Sequence, residues 1–576
     1  MIGIYPANNC KNASMSNHTI RAKIFLSISL LCTTWVCVMI GSNSYSVILP
    51  FLWAIAVVSV GLSGIFLSHM SVPRVHLTPR SLLIGCIILL PVIVRVANYQ
   101  PNRIHGDDLL TATFSQEFHP LTTNFFAGVP EGTEWVAKFP APYFLFQKIF
   151  LRMTGASVLT VKLSVLPYVL FVSYMTYIIG SMLFGAYAGA SAVVIYAFMA
   201  ISVYHETLGL HFISSTAIYM LFFYAILRSF RTEKPAWFVI SGITMGACYL
   251  SYTSSYIALP VMGAAMGIYA ATTRKKQIIY RWIIWALLGC VITLAPFITY
   301  AITQENYFGG RINQVSLLTG SWSSSRLKTP SFPLARDLII HNTDVALRSM
   351  IHDGIGGHGG YTFNQRAFFH PLGLVVFLAG LMFITFKKSH RKESLLIFIT
   401  IAISFLTGVV LTIPPPAYHR LTLTFPFIAL ISAAPFSLLA QKKFFTTGIW
   451  IACVTLAVFA GVNLHYFKTS VRKEALIEDA AIIQHINQTY PNRHIHIAAF
   501  PSFALEKLYM FFTPKTALSI DTRYHLNYLQ QFNRNEPYVY VITLPREFEA
   551  QFRAADPNGT ITVFSDKYWF MVNEAP

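Results

Sequence analysis

Apolar runs of roughly 16–22 residues recur along the chain, separated by short polar or basic stretches; wound as helices, such runs cross the roughly 30 Å hydrocarbon core of a bilayer. The pattern predicts about thirteen spans, near 24–40, 47–68, 82–98, 160–181, 187–203, 212–228, 236–252, 257–271, 282–301, 371–387, 394–413, 421–440 and 447–464. A second apolar run follows the first closely and no small-residue cleavage site separates them, so the first reads as a span and not as a signal peptide.

Three stretches are too polar to cross: 98–159, 302–370 and everything from 465 to 576. The last reads as a small soluble α/β domain. Ile495–Phe500 and Tyr538–Leu544 have strand character, Ala504–Phe512 and Glu547–Ala555 helical character, and Thr560–Val572 suggests a closing hairpin. The expected organisation is a membrane domain over 1–464, with polar loops 98–159 and 302–370, followed by the soluble domain 465–576.

Composition agrees. Hydrophobic residues make up 55% of the 576 positions and charged residues 11%, against about a quarter charged in a soluble protein. Lys and Arg number 42 against 23 Asp and Glu. In a soluble chain that surplus would point to nucleic acid, but here it follows the loops, as the bias of cytoplasmic loops toward Lys and Arg predicts. The seven Cys form no CxxC pair and imply neither a disulfide framework nor zinc.

The basic loops give the orientation. Arg74 and Arg80, Arg228 to Lys234, Arg274 to Arg281, Lys387 to Lys392, and Lys442 with Lys443 all fall on one side when the spans are counted. That side is expected to be cytoplasmic, with the N-terminus inside and the three polar segments outside.

The first polar segment opens Arg103-Ile104-His105-Gly106-Asp107-Asp108 directly after a span. Adjacent carboxylates at the water interface can take a proton from an incoming hydroxyl or hold a divalent cation against a phosphate. They also suit a plain helix start. Glu206 is the single acidic residue of its short loop, again beside a span, and reads equally as a helix cap. Arg420 closes Pro414-Pro415-Pro416-Ala417-Tyr418-His419-Arg420; its planar fork matches a phosphate, and a snorkelling anchor is the plainer alternative. Between Asp353 and Tyr361, five of seven positions are Gly, a stretch able to lie close against a substrate; His352 and His358 within reach of it are a weak metal signal.

The order of these features resembles the GT-C glycosyltransferases that use polyprenyl-phosphate donors, in particular the protein O-mannosyltransferase and aminoarabinose transferase group. The resemblance rests on Arg103 to Asp108, Phe126-Ala127-Gly128-Val129-Pro130, Phe139-Pro140-Ala141-Pro142-Tyr143, Thr160-Val161-Lys162-Leu163-Ser164, Tyr361-Thr362-Phe363-Asn364 before Pro371-Leu372-Gly373, and the Pro-rich run ending at Arg420. It covers about 98–440. The chain departs from the group in having Asp-Asp where Asp-Glu is common, Lys at 162 where Arg is usual, and three spans ahead of the motif where one is usual.

The resemblance implies a GT-C membrane fold and a membrane glycosyltransferase, inverting, that moves a hexosyl or pentosyl group from a polyprenyl-phosphate-linked sugar to a hydroxyl on a glycan, a lipid or a protein. Asp107 is then the base and Asp108 its orienting partner. Arg420 and Arg103 meet the donor phosphate. Glu206, His105, Tyr361 and His419 position substrate or cation, with Asp107, Asp108 and Glu206 as ligands if a divalent cation (Mg²⁺ or Mn²⁺) takes part. The expected location is the plasma membrane of a bacterium, with the site and C-terminus outside. The competing class is a transporter or flippase of lipid-linked sugars; long outer loops, no visible repeat and the lack of charged residues deep in spans speak against it. The topology has a direct check. A Cys placed at Asp521 should react with an impermeant thiol reagent applied from outside while one at Lys388 does not, and the reverse result would overturn the orientation.

Overall fold

The computed structural model describes residues 8–68, 78–99, 106–118, 125–126, 142–155, 157–273, 275–303, 315–317, 332–355, 361–387, 391–412, 415–440 and 445–471, and in the C-terminal segment 485–486, 489–490, 494–498, 518–520, 538–542, 549–555, 557–563 and 569–573. Every apolar run forms helix. Among the described residues nine helices are long and apolar enough to cross a membrane, from His18–Gly41 and Leu49–Leu67 through to Thr447–Val471. Ser81–Ala97 and Pro371–Phe386 are shorter apolar helices, and Pro235–Tyr249 has 15 residues. The chain is therefore a polytopic α-helical membrane protein. What differs from expectation is helix length: proline at the first or second position opens the helices starting at Pro79, Pro235 and Pro371, where its fixed φ and missing N–H belong.

One expected span, near 187–203, is not straight. Ala186–Phe198 and Ala200–Glu206 meet at 63°, because Met199 leaves the helical region at φ −62° and ψ 114°. Irregular backbone at membrane depth needs partners for the groups it frees, and the site described below supplies them.

The bundle holds together through close backbone contact as well as apolar burial. Lipid is as apolar as a Leu side chain, so membrane helices gain most where small residues let backbones approach. Gly242 and Gly246 of Pro235–Tyr249 face Ala286 and Thr293 of Lys276–Thr303, Gly289 faces Val239 and Ile243 in return, and a Cβ built on Gly242 would sit 2.0 Å from the Ala286 carbonyl oxygen. Trp282 Nε1 donates to Ser241 Oγ at 3.2 Å beside this seam. Large apolar side chains on the outside, such as Leu31, Phe51, Ile284 and Phe386, are more than half exposed, as contact with lipid requires.

The hairpin formed by Asn8–Gly41 and Leu49–Leu67 is docked by the same means. Ser29 donates to Ala56 O at 2.7 Å and Ser63 to Ala22 O at 2.9 Å between its own two helices, and Ser68 accepts from Ala236 N of the bundle at 2.8 Å. Trp53 donates to Thr293 O at 3.0 Å and stacks edge-on against Phe297. Phe125 and Phe126, from the first polar segment, complete that aromatic cluster.

The last membrane helix, Phe445–Val471, runs beyond the expected end at 464. In the C-terminal segment five strands, β1 (His494–Ala498), β2 (Leu518–Ile520), β3 (Tyr538–Ile542), β4 (Thr560–Val563) and β5 (Trp569–Asn573), form one sheet in the order β2-β1-β3-β5-β4. β1 is parallel to β2 and β3, and β5 is antiparallel to β3 and β4. The β4–β5 pair is the hairpin expected from sequence, and the helix Glu549–Ala555 precedes it. β2 was not anticipated, since three residues, Leu-Ser-Ile, are too few to show a period. The expected helix Ala504–Phe512 lies outside the described residues.

Gly242→Val should lower stability by about 1–3 kcal/mol, the cost of overpacking a close contact. Thermal unfolding of the detergent-solubilised protein checks this, and an unchanged midpoint would show that the seam is looser than described.

Candidate functional site

The carboxylate pair stands at the start of the helix Gly106–Glu117, in its first turn. Unpaired N–H groups and the positive end of the helix dipole favour acids there. Neighbouring residues on a helix point about 100° apart, so the two acids meet different surroundings. Asp107 is half-buried, whereas Asp108 is only 2% exposed.

The helix is latched at several points. Ser115 Oγ donates to Gln147 Oε1 at 2.6 Å, and Gln147 Nε2 donates to Ser164 Oγ at 3.2 Å and to Gly209 O at 3.4 Å. Lys148 caps the helix end by donating to the carbonyls of Gln116 and Phe118. Gln147 and Lys148 belong to the amphipathic helix Pro142–Thr154. Lys162 is 5% exposed, with its ammonium 5.4 Å from the centre of the Tyr99 ring.

Tyr361 arrives from far along the chain and donates its hydroxyl proton to Asp107 Oδ2. Burial first, and then the Asp107 carboxylate, push the Tyr361 phenol well above its ordinary pKa; it therefore stays protonated and a donor. Just beyond it, Phe363, Asn364 and Gln365 all adopt positive φ, between 50° and 59°. Three successive left-handed residues cost about 1–2 kcal/mol each. The surroundings hold them: Asn364 Nδ2 donates to Ser470 O at 2.9 Å, Gly354 N donates to Gln365 O at 2.7 Å, and Phe363 is buried edge-on against Tyr204. Asp353 braces the same turn, accepting from Arg366, from Ala367 N at 2.8 Å and from Tyr466 at 3.0 Å. Burial raises the Asp353 carboxyl, but these donors outweigh it and hold the group below its ordinary range.

His419 lies against Tyr361, with ring centres 4.1 Å apart, and also contacts Phe212 at 5.0 Å and Tyr252 at 6.3 Å. His211 packs on Tyr252 and Tyr143, at 5.1 Å and 5.6 Å. Arg420, 5% exposed, follows His419 in a 3₁₀ turn and lines a cavity of about 310 Å³. Tyr252 is part of that cavity's wall, together with Ser254, Thr253, Ser404 and Gly408. Thr407 and Pro260 stand exposed at its edge, flanked by Leu259 and Leu406 at 55% and 46% exposure. The cavity thus opens sideways between two membrane helices, with a buried guanidinium in its wall. A continuous path of contacts runs Asp107–Tyr361–His419–Tyr252–cavity.

Glu206 is placed differently. It ends the bent helix Ala200–Glu206 and is 1% exposed. Its Oε2 accepts from Arg95 Nη2 at 2.7 Å and Nε at 3.1 Å, and its Oε1 accepts from Tyr196 Oη at 2.7 Å. Arg95 also donates to Ser202 Oγ at 2.6 Å and to the carbonyls of Ala197 at 2.5 Å and Tyr196 at 3.2 Å. Those carbonyls are the ones released by the break at Met199. With both oxygens engaged, Glu206 does not complete a three-carboxylate cation site with Asp107 and Asp108. Among the described residues no group of three His, Cys, Asp or Glu could hold a metal ion.

Arg95 contradicts the sequence reading, which found no charged residue deep within a span: it lies inside Pro79–Ala97 and is 2% exposed. The signal was present in Val92-Ile93-Val94-Arg95-Val96-Ala97, since an Arg inside an apolar run needs a buried partner. Ser404 and Tyr252 carry no such mark. Arg103, His105, His358 and Gly356 to Gly360 lie outside the described residues.

No protein-family model matches the chain, and no curated protein matches it either. Solved structures do. ArnT from Cupriavidus metallidurans, bound to undecaprenyl phosphate, superposes with a TM-score of 0.57 at 12% identity, over 86% of this chain and 98% of that one. The oligosaccharyltransferase AglB from Archaeoglobus fulgidus, in complex with an inhibitory peptide and a dolichol-phosphate, gives 0.49 at 11% identity over 86% and 75%. The arabinosyltransferase EmbB from Mycobacterium smegmatis gives 0.37 at 14% over 81% and 46%. The fold assignment rests on ArnT: the chain has the GT-C membrane fold that the sequence resemblance implied.

Arg95→Met strands a buried carboxylate and should cost about 3–5 kcal/mol. The double variant Arg95→Met, Glu206→Leu should recover much of that loss. Unfolding midpoints of both proteins decide it; a double variant no better than the single one would mean that the pair is not the dominant interaction at the break.

Proposed function

We propose that the protein is an integral membrane glycosyltransferase that moves a sugar from a polyprenyl-phosphate donor to an acceptor hydroxyl on the extracytoplasmic face. The observation that carries the reading is the path from the half-buried Asp107 carboxylate through Tyr361 and His419 to a laterally open cavity walled by Arg420. The undecaprenyl phosphate bound to ArnT, whose fold this chain shares, supports a lipid of that kind as donor carrier. Nucleotide sugars are scarce outside the cytoplasm, so a donor brought through the membrane on a lipid suits a site on that face.

In this reading the prenyl tail enters from the bilayer beside Leu259 and Leu406, and the phosphate meets Arg420, a residue suited to bidentate oxyanion contact. The acceptor oxygen attacks the anomeric carbon, the carbon–oxygen bond to phosphate breaks, and the acceptor proton passes to Asp107. The lipid phosphate leaves on the opposite face, giving inversion. Tyr361 donates to one oxygen of the Asp107 carboxylate and so fixes the orientation of the group. Asp108, nearly fully buried next to Asp107, orients it. The transfer is hexosyl or pentosyl, with a glycan, lipid or protein supplying the hydroxyl. A divalent cation, if bound, has Asp107 and Asp108 as its carboxylates, and no step here runs through it. The location is a bacterial plasma membrane with the C-terminal domain outside.

Asp107→Asn should reduce transfer by about 10²–10⁴-fold, the worth of a general base, and Asp108→Asn should reduce it less. Transfer of radiolabelled sugar from prenyl-phosphate donor in reconstituted vesicles measures both. A transporter of lipid-linked sugars would move its cargo equally well with either residue at 107, and an Asp107→Asn protein with undiminished transfer would remove the assignment of the base.

A further inference from the structure

Ser404 is 3% exposed and lines the cavity that also holds Arg420. Its hydroxyl has no hydrogen-bond partner among the described residues. That is unusual for a Ser inside a membrane helix, which ordinarily donates to the carbonyl three or four residues back. The same segment follows the ordinary rule at Thr407, which donates to Ile403 O at 2.8 Å, and at Thr412, which donates to Gly408 O at 2.6 Å. Thr400 meets Tyr219 Oη at 3.3 Å.

The backbone changes pitch just after Ser404. The helix Arg391–Phe405 passes into a π-helical turn, Leu406–Val410, marked by the bond from Leu411 N to Leu406 O at 2.9 Å. Such wide turns are concentrated at functional sites. This one brings Gly408 against Arg420: an added Cβ would lie 3.2 Å from the Arg420 carbonyl oxygen. Its far end is held by Asn342, donating to Val410 O at 2.9 Å, and by Leu317 N, donating to Leu411 O at 2.9 Å. The π turn therefore sets Ser404 and Arg420 in one frame around one cavity.

We infer that Ser404 is a phosphate-contacting residue of this cavity, donating its hydroxyl hydrogen bond to the anionic head of a prenyl phosphate that Arg420 neutralises. The inference rests on the reading of the cavity as the donor site and adds a residue to it. A hydroxyl and a guanidinium divide the work. The guanidinium attracts any anion, whereas the hydroxyl, fixed by the helix and without a partner among the described residues, reports whether a phosphate oxygen sits at that one place. The apolar rim accepts the tail.

The test uses the full-length protein in detergent, with wild type, Ser404→Ala and Ser404→Thr, titrated with a prenyl monophosphate, with the corresponding polyprenol and with inorganic phosphate. The expected result is that Ser404→Ala weakens prenyl phosphate binding about tenfold or more, as for a hydrogen bond to a charged group. The polyprenol should be unaffected and Ser404→Thr should restore the affinity. Equal prenyl phosphate affinity in wild type and Ser404→Ala overturns the inference, as does an equal loss for the polyprenol, which would mark a change of shape only. A wild-type protein that binds inorganic phosphate as tightly as the lipid would keep Ser404 as a phosphate contact while removing the donor-lipid reading. A wild-type protein that binds neither phosphate overturns both.

Discussion

A charge inside an apolar bundle stays only where another charge and enough hydrogen bonds hold it, and the Arg95–Glu206 pair meets that requirement where the membrane helix is broken at Met199. Arg95 donates from Nε, Nη1 and Nη2 to Glu206, Ser202 and the carbonyls of Tyr196 and Ala197. Without it the break at Met199 would leave those carbonyls in hydrocarbon. With it the chain can turn by 63° and run on to His211 and Phe212, which form part of the aromatic wall beside the carboxylate pair. Burying two charges is costly, so this pair is better understood as fixing a conformation than as adding stability.

The site itself is assembled from four stretches that are far apart in sequence: the helix start at Asp107, the loop at His211, the left-handed turn after Tyr361 and the 3₁₀ turn at Arg420. Each is irregular backbone or a helix end, and each is anchored to something rigid. The acid helix is tied through Gln147 and Lys148, and the Tyr361 turn through Asp353, Asn364 and Tyr466. Arg420 is held against the π turn at Gly408. Strain of the kind seen at Phe363 to Gln365 persists only where surroundings over-determine it, and here it delivers a phenol to a carboxylate. Aromatic rings and two His fill the spaces between these anchors and form the wall that joins the acid to the cavity.

The N-terminal hairpin extends this support. Its Trp53 and the Phe297 that it meets receive Phe125 and Phe126, so the polar segment carrying the acids is fastened to Leu49–Leu67 of that hairpin and to Lys276–Thr303 beside it. The aromatic cluster is continuous with the buried cluster that includes Leu110, Phe212, Tyr252 and Tyr361.

Helix existence was legible because hydrocarbon thickness imposes a length of apolar sequence that nothing else in a protein requires; each of the thirteen runs is helical for that reason. The terminal sheet was largely legible too, because β1, β3 and the β4–β5 hairpin are long enough to show alternation, while β2 is not. Asp107 and Arg420 could be picked out singly, as charged residues beside span ends, and Tyr361 and His419 only as members of motifs whose order along the chain resembled a known group. Which of them touch was decided by tertiary structure alone. Glu206 looked like a companion of the acid pair, yet folding gives it to Arg95, because a buried carboxylate binds the nearest cation and no sequence period encodes that distance. The π turn, the cavity and the hydroxyl of Ser404 likewise exist only where helices from both halves of the bundle meet. Local sequence decides what a segment can be, but contact between segments 100 to 300 residues apart depends on packing that short-range patterns do not carry.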